Sequence, residues 1–394
     1  MTSGTIPLLD LKAQYRTIGG QVRRAVRDSL RNQEFILGPA VESFEKAVAS
    51  YVGTPDAVGV ANGTDALILS LKAVGVGPGD AVITTTFSFF ATAGSICNAG
   101  ARPVFVDIDP ATYNLDPGAL TRLVRQDCAW DAGKRALTHR PSGCRVRAIL
   151  PVHLFGQPAE MDPIMHLAKE HDLAVIEDAA QAIGARDHGR SCGAIGDAGA
   201  LSFFPSKNLG GFGDGGMVVT KRSDLAARVR LLRVHGSPKR DHHVMVGTNS
   251  RLDALQASIL SVKLSHLERW TERRRAHAAL YGSLFRRAGL AAGALGLPTE
   301  RPGCRHVYNQ YVVRVPDKRD RLEQHLKENG IGCAVYYRRA LHLQDCFKHL
   351  GCGAGDFPEA ERAASEVLAL PVYPELKATQ QRRVVSVIQA LFRG

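Results

Sequence analysis

The feature that most constrains this chain is an alternation of short apolar runs with helix-length amphipathic stretches between Val58 and Thr220. Six runs read as strands: Ala81–Thr84, Pro103–Asp107, Arg147–Val152, Leu173–Asp178, Ala200–Phe204 and Met217–Thr220. They lack the polar alternation of a half-exposed strand, so both of their faces must be covered. Helical patterns such as Pro117–Arg125 and Asp162–His171 lie between them and supply the cover. Strand–helix alternation of this kind predicts an α/β fold with a large, mainly parallel sheet between helix layers.

Beyond the sheet region, Leu252–Arg287 reads as one long Leu/Ala/Arg-rich helix, broken near Trp270. A smaller α+β pattern follows from Pro302. It comprises a strand over Asn309–Val315, a helix over Arg319–Asn329, a second strand over Ile331–Tyr337, and helices over Pro358–Leu368 and Thr379–Phe392. A chain of 394 residues accommodates such a pair. The expected division is a large domain with an N-terminal arm over 1–250, then the long helix and a small C-terminal domain over 251–394. The polar stretch Gln126–Arg145 reads as an irregular surface insertion.

Apolar residues are 45% and charged residues 22%, a globular balance. The formal charge of +12 would suit an anionic partner or simply a basic solvated surface, and no nucleic-acid motif accompanies it. No signal-peptide pattern opens the chain and no apolar run reaches the roughly 18–20 residues of a membrane span, so a cytoplasmic protein is expected. Its eight cysteines include no Cys-x-x-Cys pair, which fits reduced thiols. His342, Cys346, His349 and Cys352 are the one cluster with metal-ligand chemistry. Their spacing matches no common zinc framework, and Leu343, Phe347 and Leu350 mark an amphipathic helix face, so no metal is expected.

Gly211–Gly216 spells G-x-G-x-x-G, but the glycines run into a strand rather than a helix, which removes the dinucleotide reading. More informative is Lys207, placed after a strand and before this flexible turn. A lysine there suits a Schiff-base amine whose pKa burial can depress. Asp178 ends another strand, where a carboxylate can hold the proton of a pyridine nitrogen. Gly63 and Thr64 open a helix and offer N–H groups to a phosphate, with Ser202 as a further donor. Phe89, in Thr85–Ala93, offers a ring for stacking on a flat cofactor. Each has a plain alternative: a helix cap for Thr64, a strand hydroxyl for Ser202, core packing for Phe89.

Taken with Ile6–Tyr15, Phe35–Glu45, Ala61–Leu67, Asp107–Pro117, Pro151–Ile164, Ile176–Ala185, Gly247–Ala257, Val335–Gln344 and Gly355–Leu376, these segments resemble the DegT/DnrJ/StrS family of nucleotide-sugar aminotransferases. The resemblance implies the fold-type I architecture and pyridoxal 5′-phosphate as cofactor. It implies Lys207 as the Schiff-base lysine and proton carrier, Asp178 on the pyridine nitrogen, Gln181 near the ring and its phenolic oxygen, and Phe89 on the ring face. Gly63, Thr64 and Ser202 would bind the phosphate together with Asn249 of the partner subunit, making a homodimer the smallest competent unit. Tyr336, Tyr337 and His342 fall where the family lines its sugar pocket.

Arg338 and Arg339 stand where many relatives carry prolines, and would meet a substrate phosphate or carboxylate, or form a solvated edge. Lysine rather than histidine at 207 separates the chain from the family's sugar dehydratases. The implied reaction carries an amino group from L-glutamate to C3 of a nucleotide-linked keto-sugar, with C4 amination, dehydration or a regulatory role on the same scaffold as alternatives.

Overall fold

The computed structural model describes residues 4–291 and 293–393. Its centre is a nine-stranded sheet. Seven strands run across it in the order Asp56–Val60, Gly216–Thr220, Ala198–Ser202, Ala174–Asp178, Cys144–Leu150, Asp80–Thr85 and Arg102–Val106. Neighbours pair in parallel except around Gly216–Thr220, which is antiparallel to both Asp56–Val60 and Ala198–Ser202. Its residues are buried throughout, as are nearly all those of Ala198–Ser202 and Ala174–Asp178, which explains their unbroken apolar runs.

The stretch Gln126–Arg145 is not irregular. Cys128–Asp131 and Ala136–His139 form an antiparallel hairpin whose second arm pairs with Cys144–Leu150 and so extends the sheet. Asp131 Oδ1 accepts from Lys134 N–H at 3.0 Å and closes the turn, while Leu137 alone of its arm is fully buried. With a single anchoring apolar residue, the strand carries almost no hydrophobic signature.

The long helix Ala254–Arg287 is continuous through Trp270. That indole is 2% exposed and belongs to a cluster with Ile18, Val22 and Ile259, so tertiary packing holds the position where a break was expected. The helix packs on Leu11–Asn32 and Pro39–Val52 at its N-terminal half and on the terminal helix Ala378–Arg393 further along.

In the C-terminal part, the strand Tyr311–Arg314 pairs not with Ile331–Tyr337 but with Val367–Leu370. The helix before it ends at Glu366. Ile331–Tyr337 makes only isolated bridges, Ile331 to Ile6 and Ala334 to Ala369. A four-residue apolar run is equally good as a helix end or a buried strand, and only the partner decides between them. Tyr281, Phe285, Tyr311, Val313, Leu322, Leu326, Leu368, Leu370 and Ile388 form the local core, joined by Ile6 from the N-terminal arm. No helix among the described residues is long and apolar enough to cross a membrane.

Candidate active site

Strand register assembles the site. Val60 and Ser202 both pair with Gly216, and Ala200 pairs with Asp178 on the next strand, so the ends of four adjacent strands converge on one edge of the sheet. The helix Gly63–Ala73 starts there, with Asn62 Oδ1 accepting from Asp65 N–H at 2.8 Å. The N–H groups of Gly63 and Thr64 then have no protein acceptor among the described residues. A Cβ on Gly63 would lie 2.6 Å from Ser202 Cβ, closer than two such atoms can approach. Glycine is therefore required for the helix start to reach Ser202, and the two form a cradle of donors with the positive helix end behind it.

Asp178 is 6% exposed. Its Oδ2 accepts from Thr92 Oγ1 at 2.8 Å and its Oδ1 from Ala180 N–H at 3.2 Å. Burial raises its pKa, while these donors and the field of Lys207 act against that rise. The carboxylate has only neutral hydrogen-bond donors, which leaves it suited to a cationic N–H. Beneath it, Glu177 is fully buried and fully engaged. It accepts from the N–H groups of Gly193, Ile195 and Gly196 and contacts His153 Nε2 at 2.8 Å. That network braces the strand end carrying Asp178.

Lys207 follows Ala198–Ser202 on a tight loop, with its N–H donating to Phe204 O at 2.8 Å. Burial lowers its pKa to about 8, and Asp178 is the opposing influence. The loop is held from the long helix. Buried Lys263 donates to Gly210 O and lies 5.4 Å from the centre of the Phe212 ring, while Gln256 Oε1 accepts from Phe212 N–H at 2.9 Å.

The remaining predicted residues divide. Gln181 Oε1 accepts from Phe155 N–H at 2.6 Å and its Nε2 donates to Tyr337 Oη at 3.1 Å. Phe89 is 56% exposed, its ring 6.1 Å from that of Tyr337. Tyr336 is half-buried at a cavity beside the lysine loop. His342 is set apart: it is buried, its Nε2 lies 3.1 Å from Glu361 Oε1, and its ring rests on Phe357. Arg338 is engaged by Glu323 and by Asp320 at 3.4 Å, and Arg339 lies 3.6 Å from Asp345. Asn249 is exposed, on the segment that leads into the long helix. The stretch from His342 to Cys352 forms the short 3-10 turns Leu341–Leu343 and Asp345–Leu350 instead of one α-helix. Among the described residues no three His, Cys, Asp or Glu side chains are grouped to hold a metal.

Thr92, Lys263 and Arg274 were not singled out from sequence. Lys263 and Arg274 had a readable signal, since they interrupt the buried stripe Leu260, Leu267, Trp270 and Ala278 of one helix.

A mainly parallel sheet bearing a depressed lysine, a buried carboxylate and a helix-end cradle defines a fold-type I, pyridoxal-phosphate-dependent aminotransferase. The sequence matches the DegT/DnrJ/EryC1/StrS aminotransferase family over residues 16–389, and the chain belongs to that family. It is 48% identical over 388 residues to the pleiotropic regulatory protein of Geobacillus stearothermophilus, covering 98% of this chain and 99% of that one. It is 41% identical to a UDP-N-acetyl-3-dehydro-alpha-D-glucosamine 3-aminotransferase of Acidithiobacillus ferrooxidans, over 100% of both chains. The crystal structure of S. venezuelae DesV superposes with a TM-score of 0.90 at 40% identity, covering 99% of each chain.

Proposed function

We propose that this protein transfers an amino group from an amino acid, L-glutamate, to a C3 keto group of a nucleotide-linked sugar. The observation that carries the reading is Lys207, depressed by burial, on the loop that follows the strand paired with the one ending in Asp178. The Gly63–Ser202 cradle and the unpaired Asp178 carboxylate fit the phosphate and ring nitrogen of pyridoxal 5′-phosphate, with Gln181 and Phe89 as further contacts. When bound, that group supplies the electron sink that makes the donor's Cα–H acidic. Asp178 keeps the ring nitrogen protonated, a task its buried, neutral-donor setting supports. Lys207 would move the proton between the substrate's Cα and the cofactor's carbonyl carbon as general base and then general acid, and a pKa near 8 is close to the working pH that this requires. Two half-reactions through one site give ping-pong kinetics.

The C3 assignment is supported by the activity named for the Acidithiobacillus relative and by the Val335–Gln344 segment. Belonging to the same reading are a cytoplasmic setting, a division into a cofactor-holding unit over 1–250 and a smaller unit over 251–394, and a homodimer. Exposed Asn249, with Val244 and Val246 nearby at 52% and 93% exposure, supports a segment that reaches a second copy.

The testing experiment is the visible spectrum of the purified protein with pyridoxal phosphate. A yellow band that fades with glutamate and returns with a 3-keto nucleotide sugar is expected. Absence of any band would remove Lys207 as the cofactor lysine and move the regulatory reading to first place.

A further inference from the structure

Asp178 stands at the end of a chain of two hydroxyls. Thr92 Oγ1 donates to Asp178 Oδ2 at 2.8 Å, and Ser88 Oγ lies 2.8 Å from Thr92 Oγ1. Thr92 is fully buried and Ser88 is 3% exposed, so bulk water reaches neither hydroxyl. Ser88 Oγ has no other hydrogen-bond partner among the described residues.

A hydroxyl has one proton to give, and this fixes the order of donation. With Asp178 ionised, Thr92 gives its proton to the carboxylate and must accept from Ser88. Every O–H in the chain then has an acceptor. With a proton on Oδ2 the chain runs backwards: Asp178 donates to Thr92, Thr92 to Ser88, and the Ser88 O–H is left with nowhere to point. A buried donor without an acceptor is costly. A proton on Oδ1 fares no better, because that oxygen accepts from Ala180 N–H at 3.2 Å and a carboxyl O–H oxygen is the weaker acceptor. Burial acts against the charge, while the fields of Lys207 and His153 act with the chain.

The same two residues flank Phe89, whose carbonyl accepts from Thr92 N–H at 3.1 Å. The turn that presents the Phe89 ring is thereby tied to the carboxylate. We propose that Ser88 and Thr92 are positioning residues, a one-directional hydroxyl chain that holds Asp178 as the anion and so places the shared proton on the cofactor's ring nitrogen. This rests on the aminotransferase reading above.

The test loads the enzyme with pyridoxal phosphate isotopically labelled at the ring nitrogen, whose NMR shift reports its protonation. A second readout is the affinity of the full-chain apoprotein for pyridoxal phosphate relative to the analogue with C–H in place of that nitrogen. Thr92→Val replaces the hydroxyl by a methyl, Thr92→Ser keeps it, and Ser88→Ala removes only the upstream donor. Thr92→Val is expected to move the nitrogen toward its unprotonated form and to cut the preference for pyridoxal phosphate about tenfold. Ser88→Ala is expected to cut that preference about threefold, and Thr92→Ser to stay within about twofold of wild type. Wild-type behaviour of either Thr92→Val or Ser88→Ala, or a loss in Thr92→Ser as large as in Thr92→Val, overturns the proposal. If Thr92→Val does not fold, Ser88→Ala decides alone. Wild-type protein that binds the two compounds equally would instead overturn Asp178 as the ring-nitrogen partner, and with it the reading on which the chain depends.

Discussion

Lys207 shows how burial alone prepares an amine. An ordinary lysine is almost wholly protonated at neutral pH; lowering its pKa from 10.5 to about 8 increases the free-base fraction about 300-fold. The sign fixes a pH profile. Capture of pyridoxal phosphate by the apoprotein is expected to quicken as pH rises and to level off just above 8, followed by absorbance after rapid mixing; a plateau near 10 would show an unperturbed amine. Lys207→Met is expected to lose the visible band and at least about 10³-fold in kcat. Lys207, Asp178 and Gly63 could be read from sequence because each stands at a local landmark, a strand end or an Asn-Gly helix start. Thr92 could not, since its meaning comes from a partner that lies 86 positions away at Asp178.

Among the elements, the helix Gly63–Ala73 depends most on a single residue. Gly63→Ala would drive its Cβ into Ser202 and push the helix start away from the strand edge. Cofactor retention is expected to fall about tenfold or more, read by equilibrium dialysis, while far-UV circular dichroism stays that of wild type because the helix interior is untouched. The core strands were legible for a similar reason: residues buried on both faces leave apolar runs with little ambiguity. Elements that declare themselves only through a partner were not. Val367–Leu370 looks like the last turn of a helix until Tyr311–Arg314 lies beside it. The hairpin over Cys128–His139 shows one buried leucine where a strand reader looks for three.

For the whole molecule, the proposed dimer makes a prediction that neither subunit can satisfy alone. Lys207→Ala and Asn249→Ala protomers, each inactive as homodimers, are expected to regain up to about a quarter of wild-type activity when unfolded and refolded together, because a mixed dimer contains one intact site. No recovery, with mixed dimers demonstrated by mass spectrometry, would place Asn249 outside the shared site. The 34-residue helix Ala254–Arg287 adds something the active-site geometry does not show by itself. At 1.5 Å per residue it is a rod about 50 Å long. Lys263 and Gln256 near one end grip the loop that carries Lys207, while Tyr281 and Phe285 near the other are embedded in the C-terminal core. A rod anchored at both ends would couple them: a tilt of the C-terminal core would arrive at the lysine loop as a displacement, and by reciprocity a change at that loop would be felt in the C-terminal core.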